Sequence, residues 1–577
     1  MSASRKVTSG VTMKNTISKT RLLLVPMVVA LLLAATAAYA ATPGVTGTTF
    51  NLTAQPAYLT QPDGQMVYSW GYGCASTTGL TFLPAATFVD TPTCSSMQVP
   101  GPTLIVRAPA TGTATVTVNL TNGLPTAAGN TSILFPGFNV ATSCNATTPV
   151  GQQGLLTCEA APGGSVTYTL TIPSTAAGTH AYYSGTQGDL QVEMGLYGAV
   201  VVLPASSPAV TAACGTLTTG GLPATNPGNN RAAQSASGES DFRLAAAAYN
   251  HPQACYDREY LFQFSEMDPN IHAQALAQVN AIANCNGHTA NGNACPTALE
   301  VPTEPYHPAY FLINGRSMPD DMDPNYAREY PHQPYNGNPH MHPGELTLLR
   351  IIGQGRWQHP FHEHGNHVRI LARDGNLILS QTDSASLAGP LLFTTTTTPG
   401  MAFDGIFYYT AKGLNWDMYG HNPSSNDLSA KLSCVPDANG YNTGDPTAIN
   451  YFEWCQDHNK PLQVAPFGDV AAGGPATLPD PNLFTNGPWY GGSPYLGPNA
   501  TLRATGCSAG SPAGSCGATG TTPPSGTIAN SPSGEAGFAF MWHSHNEREI
   551  TTNNIFPGGM LMMMLVDSRE FVINESN

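Results

Sequence analysis

Two His-x-His pairs define the chemistry open to this chain: His362-Glu363-His364, inside His359-Pro-Phe-His-Glu-His-Gly365, and His543-Ser544-His545. Alternate side chains of a β-strand point to the same face, so each pair presents two imidazoles together. Imidazole suits copper, zinc, iron and nickel, and four converging from two strands could hold a transition metal. A third pair, His340-Met341-His342, stands in a Pro-rich stretch before Glu345. A solvent-exposed loop is the expectation there, with metal binding as the alternative. His367 lies three residues beyond His364, an offset that points to the opposite face of a strand. No cysteine lies beside either of the first two pairs.

Strands must position these pairs, and the composition favours strands. Charged residues make up 10% of the chain, against about 25% in an ordinary domain. Gly, Pro, Ser, Thr and Asn fill the gap, which suits an all-β protein with many turns. The segment Thr113–Asn119 alternates β-branched residues in a clear strand pattern. Further strands are expected at Thr103–Val106, Ser165–Ile172, Gly198–Leu203, Glu345–Ile352, His367–Ala372, Gly405–Thr410 and Met560–Val566, and one helix near His272–Ile282.

The N-terminus has the pattern of an export signal over residues 1–40: basic Lys14, Lys19 and Arg21, an apolar run from Leu22, then Ala38-Tyr39-Ala40. Its removal takes the five basic residues before Ala41 and leaves 16 basic against 36 acidic, a net charge of −20. Such a surface argues against nucleic acid or anionic lipid as partner. No later stretch is apolar and long enough to span a bilayer, so the expected locations are periplasmic or extracellular. Twelve cysteines in an exported chain imply disulfides. Close neighbours are Cys74 with Cys94, Cys144 with Cys158, Cys285 with Cys295, Cys434 with Cys455 and Cys507 with Cys516, leaving Cys214 and Cys255; sequence alone leaves the connectivity open.

The expected organisation is two β-rich blocks, 41–213 and 251–577, joined by a linker at 214–250. A Pro/Gly/Asn/Ser-rich insertion at about 421–534 interrupts the second block and holds four of the cysteines.

Several segments resemble the multicopper oxidases, proteins built from cupredoxin domains. Val99-Pro-Gly-Pro-Thr-Leu-Ile-Val106 resembles the opening of the family's first domain, and Gly178–Ser184 with Gly195–Val201 its close. Leu312-Ile-Asn-Gly315, Pro343-Gly-Glu345, His359–Gly365, Trp542-His-Ser-His545 and Gly559-Met560 are similar to its C-terminal metal-binding domain. The resemblance implies tandem cupredoxin-like Greek-key β-sandwiches with a disulfide-pinned loop insertion in the second. It also implies a thiolate-bound type 1 copper and a trinuclear cluster on four His-x-His pairs.

This chain keeps only half of that ligand set. Leu134, Pro136, Tyr183 and Gly185 stand where the resemblance places the N-terminal histidines, Ser544 where it places the type 1 cysteine, and Glu549 where it places a second type 1 histidine. A serine hydroxyl cannot supply the Cu–S bond of a blue site. The expected ligands are therefore His362, His364, His543 and His545, with His359, His340 and His342 as additional donors to test. Copper leads through the resemblance, and zinc or another transition metal follows. The expected function is an exported oxidoreductase with a reduced, His-only mono- or dinuclear site, acting on a small molecule, oxygen or a metal ion; self-association is compatible with it. The alternative is a non-catalytic metal-binding or structural surface protein on the same scaffold.

Overall fold

The computed structural model describes residues 42–84, 90–144, 152–215, 239, 241, 243–289, 291–410, 412, 434–446, 448, 450–456, 492–496, 536–567 and 573. The segment expected to be an export signal, the expected Cys507/Cys516 pair and most of the expected insertion lie outside them.

Two β-sandwiches form in chain order. In the first, a five-stranded sheet runs Gly178–Tyr183, Tyr197–Leu203, Leu104–Arg107, Gly44–Thr46, Thr81–Leu83. It faces a second five-stranded sheet ordered Met66–Ser76, Thr49–Thr60, Thr113–Asn122, Ser165–Pro173, Asn139–Thr142. The Thr113–Asn122 strand alternates as its sequence predicts: Val116, Val118 and Leu120 enter the core while Thr113, Thr115 and Thr121 face solvent. Tyr68, Trp70, Tyr168 and Tyr182 fill the space between the sheets.

The second sandwich carries the histidine motifs. One sheet is ordered Tyr310–Ile313, Arg258–Met267, Leu346–Gly353, Ala402–Tyr408, Val368–Arg373, Asn376–Leu377. The other is ordered His340–Met341, Leu561–Asp567, Ala536–Ser544, His359–Glu363, Thr394–Thr397. Phe264, Phe361, Phe407, Phe540 and Trp542 interlock between them, with Phe361 set edge-on to Trp542 at 6.2 Å and Phe407 at 4.9 Å from the same indole. Met560, Met562, Met563 and Met564 belong to this core as packing residues.

The expected helix runs Pro269–Ala283, opened by Asp268, whose side chain accepts from Asn270 N at 2.9 Å, with proline at the first helical position. Its Ile271 and Ala275 pack into the first sandwich. The expected linker is ordered in its second half: Leu244–Tyr249 are buried, and Cys214 is bonded to Cys255. Apolar sequence there (Leu-Ala-Ala-Ala-Ala-Tyr) has surface to bury, which a free linker lacks. The other disulfides are Cys74–Cys94, Cys144–Cys158, Cys285–Cys295 and Cys434–Cys455. Asp404 joins the sandwiches: it accepts from Thr179 Oγ1 at 2.6 Å and from Tyr249 OH, with Arg350 nearby.

Trp70 is fully buried in the first core, remote in sequence from the histidine motifs. Trp70→Ala is expected to cost about 3–5 kcal/mol through lost burial and the cavity left behind. Urea denaturation checks this, and metal stoichiometry of the folded variant should match that of the wild-type chain.

Candidate metal centre

One register brings the two motifs together. The His359–Glu363 strand lies antiparallel to Ala536–Ser544, with His362 opposite His543, Phe361 opposite Ser544 and Glu363 opposite Trp542. Paired residues share a face and neighbours alternate. His362, His364, His543 and His545 therefore share one face, while His359, Phe361, Glu363, Trp542 and Ser544 turn to the core.

On the first face, ring centroids separate His362 from His364 by 5.0 Å, from His543 by 5.5 Å and from His545 by 4.6 Å. Nitrogen atoms of His362, His364 and His543 all lie within 4.8 Å of one another, so these three can hold one ion. His362 and His543 are buried, His364 is partly exposed and His545 is exposed, which opens the cluster on one side. Neighbouring oxygens fix the rings. His543 Nδ1 donates to the Ser544 carbonyl at 2.7 Å, leaving Nε2 as a lone-pair donor that faces His364 Nε2 at 3.3 Å. His362 Nδ1 pairs with Thr394 Oγ1 at 2.5 Å. Burial, then the nearby His364, His543 and His545, hold the His362 ring down to about 3, so it stays neutral. Burial first and then His545 lower His543 as well. Neutral imidazoles with fixed tautomers are the form in which histidine binds metal.

The core face holds different chemistry, at His359, Ser544 and Glu549, where the sequence resemblance implies a type 1 site. His359 is fully buried, with Nε2 at 2.9 Å from Glu266 Oε2 and Nδ1 at 2.8 Å from Glu549 Oε2. Burial opposes a charge on this ring, but the hydrogen bonds it donates to two carboxylates outweigh burial and raise it to about 9. Glu549 also accepts from Ser544 Oγ and, at 2.8 Å, from Asn546 Nδ2. Glu266 further accepts from the backbone of Arg356 at 2.6 Å and Trp357 at 2.8 Å. Both His359 nitrogens are thus engaged, and the ring is not brought to the four-imidazole face.

His340 and His342 are buried, which corrects the expectation of an exposed loop. The short His340–Met341 strand pairs with Leu561–Asp567, and the pairing draws the loop inward. His340 Nδ1 meets Asp567 Oδ2 at 2.7 Å. His342 sits between the Asp567 carbonyl at 2.9 Å and Glu239 Oε1 at 2.6 Å. With Glu345 and Arg258 they build a separate buried cluster of ion pairs, in which Arg258 binds both glutamates. His367 is half-buried and set against Phe393 at 4.9 Å, not among the converging nitrogens.

Glu363 faces the core. Burial pushes its carboxyl well above the usual range, and neither oxygen has a hydrogen-bond partner among the described residues. In the first sandwich, Leu134 and Tyr183 exchange backbone hydrogen bonds at 2.7 and 3.3 Å, and Leu134 packs against Gly185. These positions carry no metal-binding side chain beyond a phenol. His180 is buried against Phe138 at 4.6 Å and lowered by burial.

Sequence reasoning missed Glu266, Thr394 and Phe393. A carboxylate within the apolar Arg258–Met267 strand was the one available signal, since a buried acid needs a partner.

Residues 90–207 match the family model described as multicopper oxidase. The match lies within the first sandwich, over its strands from Leu104–Arg107 to Tyr197–Leu203, and does not reach the histidine motifs of the second. The chain is similar to the multicopper oxidase mgLAC (12% identity, 90% of this chain and 85% of that one, TM-score 0.39). It is also similar to the blue copper oxidase from Nitrosomonas europaea (13% identity, 89% and 85%, TM-score 0.38) and to the copper nitrite reductase from the same organism (14% identity, 63% and 84%, TM-score 0.33). Likenesses this weak establish neither a site nor an activity. No curated protein matches the chain.

The His359 node has a definite pH signature. Its folded value of about 9 exceeds the unfolded 6.5, so its stabilisation is complete below about pH 6.5 and lost as pH rises through about 9. His359→Gln should therefore lower stability at pH 6 and approach the wild-type value above pH 9; urea denaturation across that range measures it.

Proposed function

We propose that this protein is an exported, copper-binding oxidoreductase whose metal is held by histidine alone, on His362, His364, His543 and His545. The observation that carries this reading is the convergence of four imidazoles on one sheet face, with the His543 tautomer set by the Ser544 carbonyl and the His362 ring held by Thr394. The match of residues 90–207 to a multicopper oxidase model favours copper over zinc, which the same ligands would also accept. Copper bound here would supply one-electron redox chemistry.

The chain's own residues limit what that chemistry can be. Ser544 replaces the thiolate through which electrons would enter a blue centre, and His359 is committed to two carboxylates. Electrons are therefore proposed to come directly from a small organic, oxygen or metal-ion substrate at the open side of the cluster. Export is supported by the leader pattern and by five disulfides. No helix among the described residues is long and apolar enough to cross a membrane. A second reading, copper capture without turnover, is favoured by the same loss of the thiolate.

Purified protein is expected to bind copper, with an ordinary electron-paramagnetic-resonance hyperfine splitting and no intense blue absorption. His543→Ala should abolish both copper binding and oxidation of phenols. Oxidation rates unchanged by that substitution would remove the oxidoreductase reading, whereas stoichiometric copper without oxygen consumption would favour the capture reading.

A further inference from the structure

We infer that the second sandwich holds a further metal site, apart from the four-imidazole face: a zinc ion bound by Glu239, His342 and Glu345. These residues offer one imidazole nitrogen and two carboxylate oxygens, all within 4.8 Å of one another. A tight turn brings two of them together. His342 N donates to Glu345 Oε2 at 2.8 Å and Glu345 N to the His342 carbonyl at 3.2 Å, around Gly344 at a φ of +85°. Glu239 arrives from the segment between the sandwiches. His342 and Glu345 are fully buried, and Glu239 is 6% exposed.

The His342 ring is held in one orientation. Its Nδ1 lies 2.9 Å from the Asp567 carbonyl, which can only accept, so Nδ1 keeps a proton and the lone pair of the neutral ring is at Nε2. That nitrogen meets Glu239 Oε1 at 2.6 Å. Two acceptors come so close only with a positive centre between them, a second proton or a metal. Charge favours the metal. Among the described residues, Glu239, Glu345 and Asp567 share the cluster with one guanidinium, Arg258: three negative charges against one positive, a surplus of two that a single divalent ion offsets. A carbonyl-anchored Nδ1 is also the usual outer support of a metal-bound imidazole. Arg258 bonds to both glutamates, yet a carboxylate has about four lone-pair sites, enough for a guanidinium and a metal together. The imidazole sets calcium and magnesium aside, and zinc accepts both donor types.

This site is remote from the proposed copper ligands and does not rest on them. Leu565 pairs with His340 and Leu561 with His543, so four residues of strand, about 13 Å, separate the two along the sheet. The zinc would also secure the chain end, because Ile573 N donates to Glu239 Oε1 at 3.0 Å.

The test uses the full chain, stripped with a chelator and then given zinc. His543→Ala, which impairs the four-imidazole face, should still bind one zinc per chain, and zinc should raise its urea midpoint. X-ray absorption at the zinc edge should show one imidazole among oxygen donors. Adding His342→Gln or Glu239→Gln to that background should abolish both the bound zinc and the zinc-dependent rise. The zinc-edge spectrum needs neither of these cluster substitutions, so it decides the matter even where they prevent folding. No zinc in His543→Ala, a zinc shell of several imidazoles, or binding that survives Glu239→Gln and His342→Gln would each overturn the assignment. The copper reading would stand in every such case, and a chain that takes zinc here but no copper would overturn that reading alone.

Discussion

A single antiparallel register, His362 opposite His543, governs the second sandwich. Because side chains alternate along both strands, that pairing sorts two sequence motifs into two chemical layers. Four imidazoles go to one face. His359, Ser544 and the aromatic packing go to the other. A slip of one residue in either strand would turn its imidazoles into the core and its Phe361 or Trp542 out of it, so the core itself enforces the arrangement.

The two layers are only one sheet apart but electrostatically opposite. Outside, desolvation and mutual repulsion keep imidazoles neutral and able to donate lone pairs to a metal. Inside, two carboxylates hold an imidazole as a cation. Glu266, His359 and Glu549 form a buried charge pattern closed by hydrogen bonds, with Ser544 as a further donor. The partners satisfy polar groups that burial would otherwise strand in the core. The His340/His342 cluster follows the same logic, with Arg258 between Glu239 and Glu345.

Much of the fold was legible. The eight strands expected from the sequence are present, most within a residue or two, although longer strands such as Thr49–Thr60 and Met66–Ser76 were not foreseen. The close-neighbour cysteine pairs, with Cys214 left to Cys255, agree with the five disulfides of the described residues. Legibility failed where a polar residue's partner is distant in sequence. His340 and His342 looked like loop residues because their anchors are Asp567 and Glu239, each more than 100 residues away or nearly the length of a domain. His359 looked like a free donor because nothing nearby in sequence announces Glu266.

The sequence by itself determined the β architecture, the two-face character of each His-x-His pair and the absence of a thiolate beside them. Those are local properties, set by side-chain type and a two-residue period. Tertiary structure decided which histidines meet, which of them keep a free nitrogen and which are captured by carboxylates. Such outcomes depend on strand register and on contacts between distant segments, where burial makes every polar group find its partner.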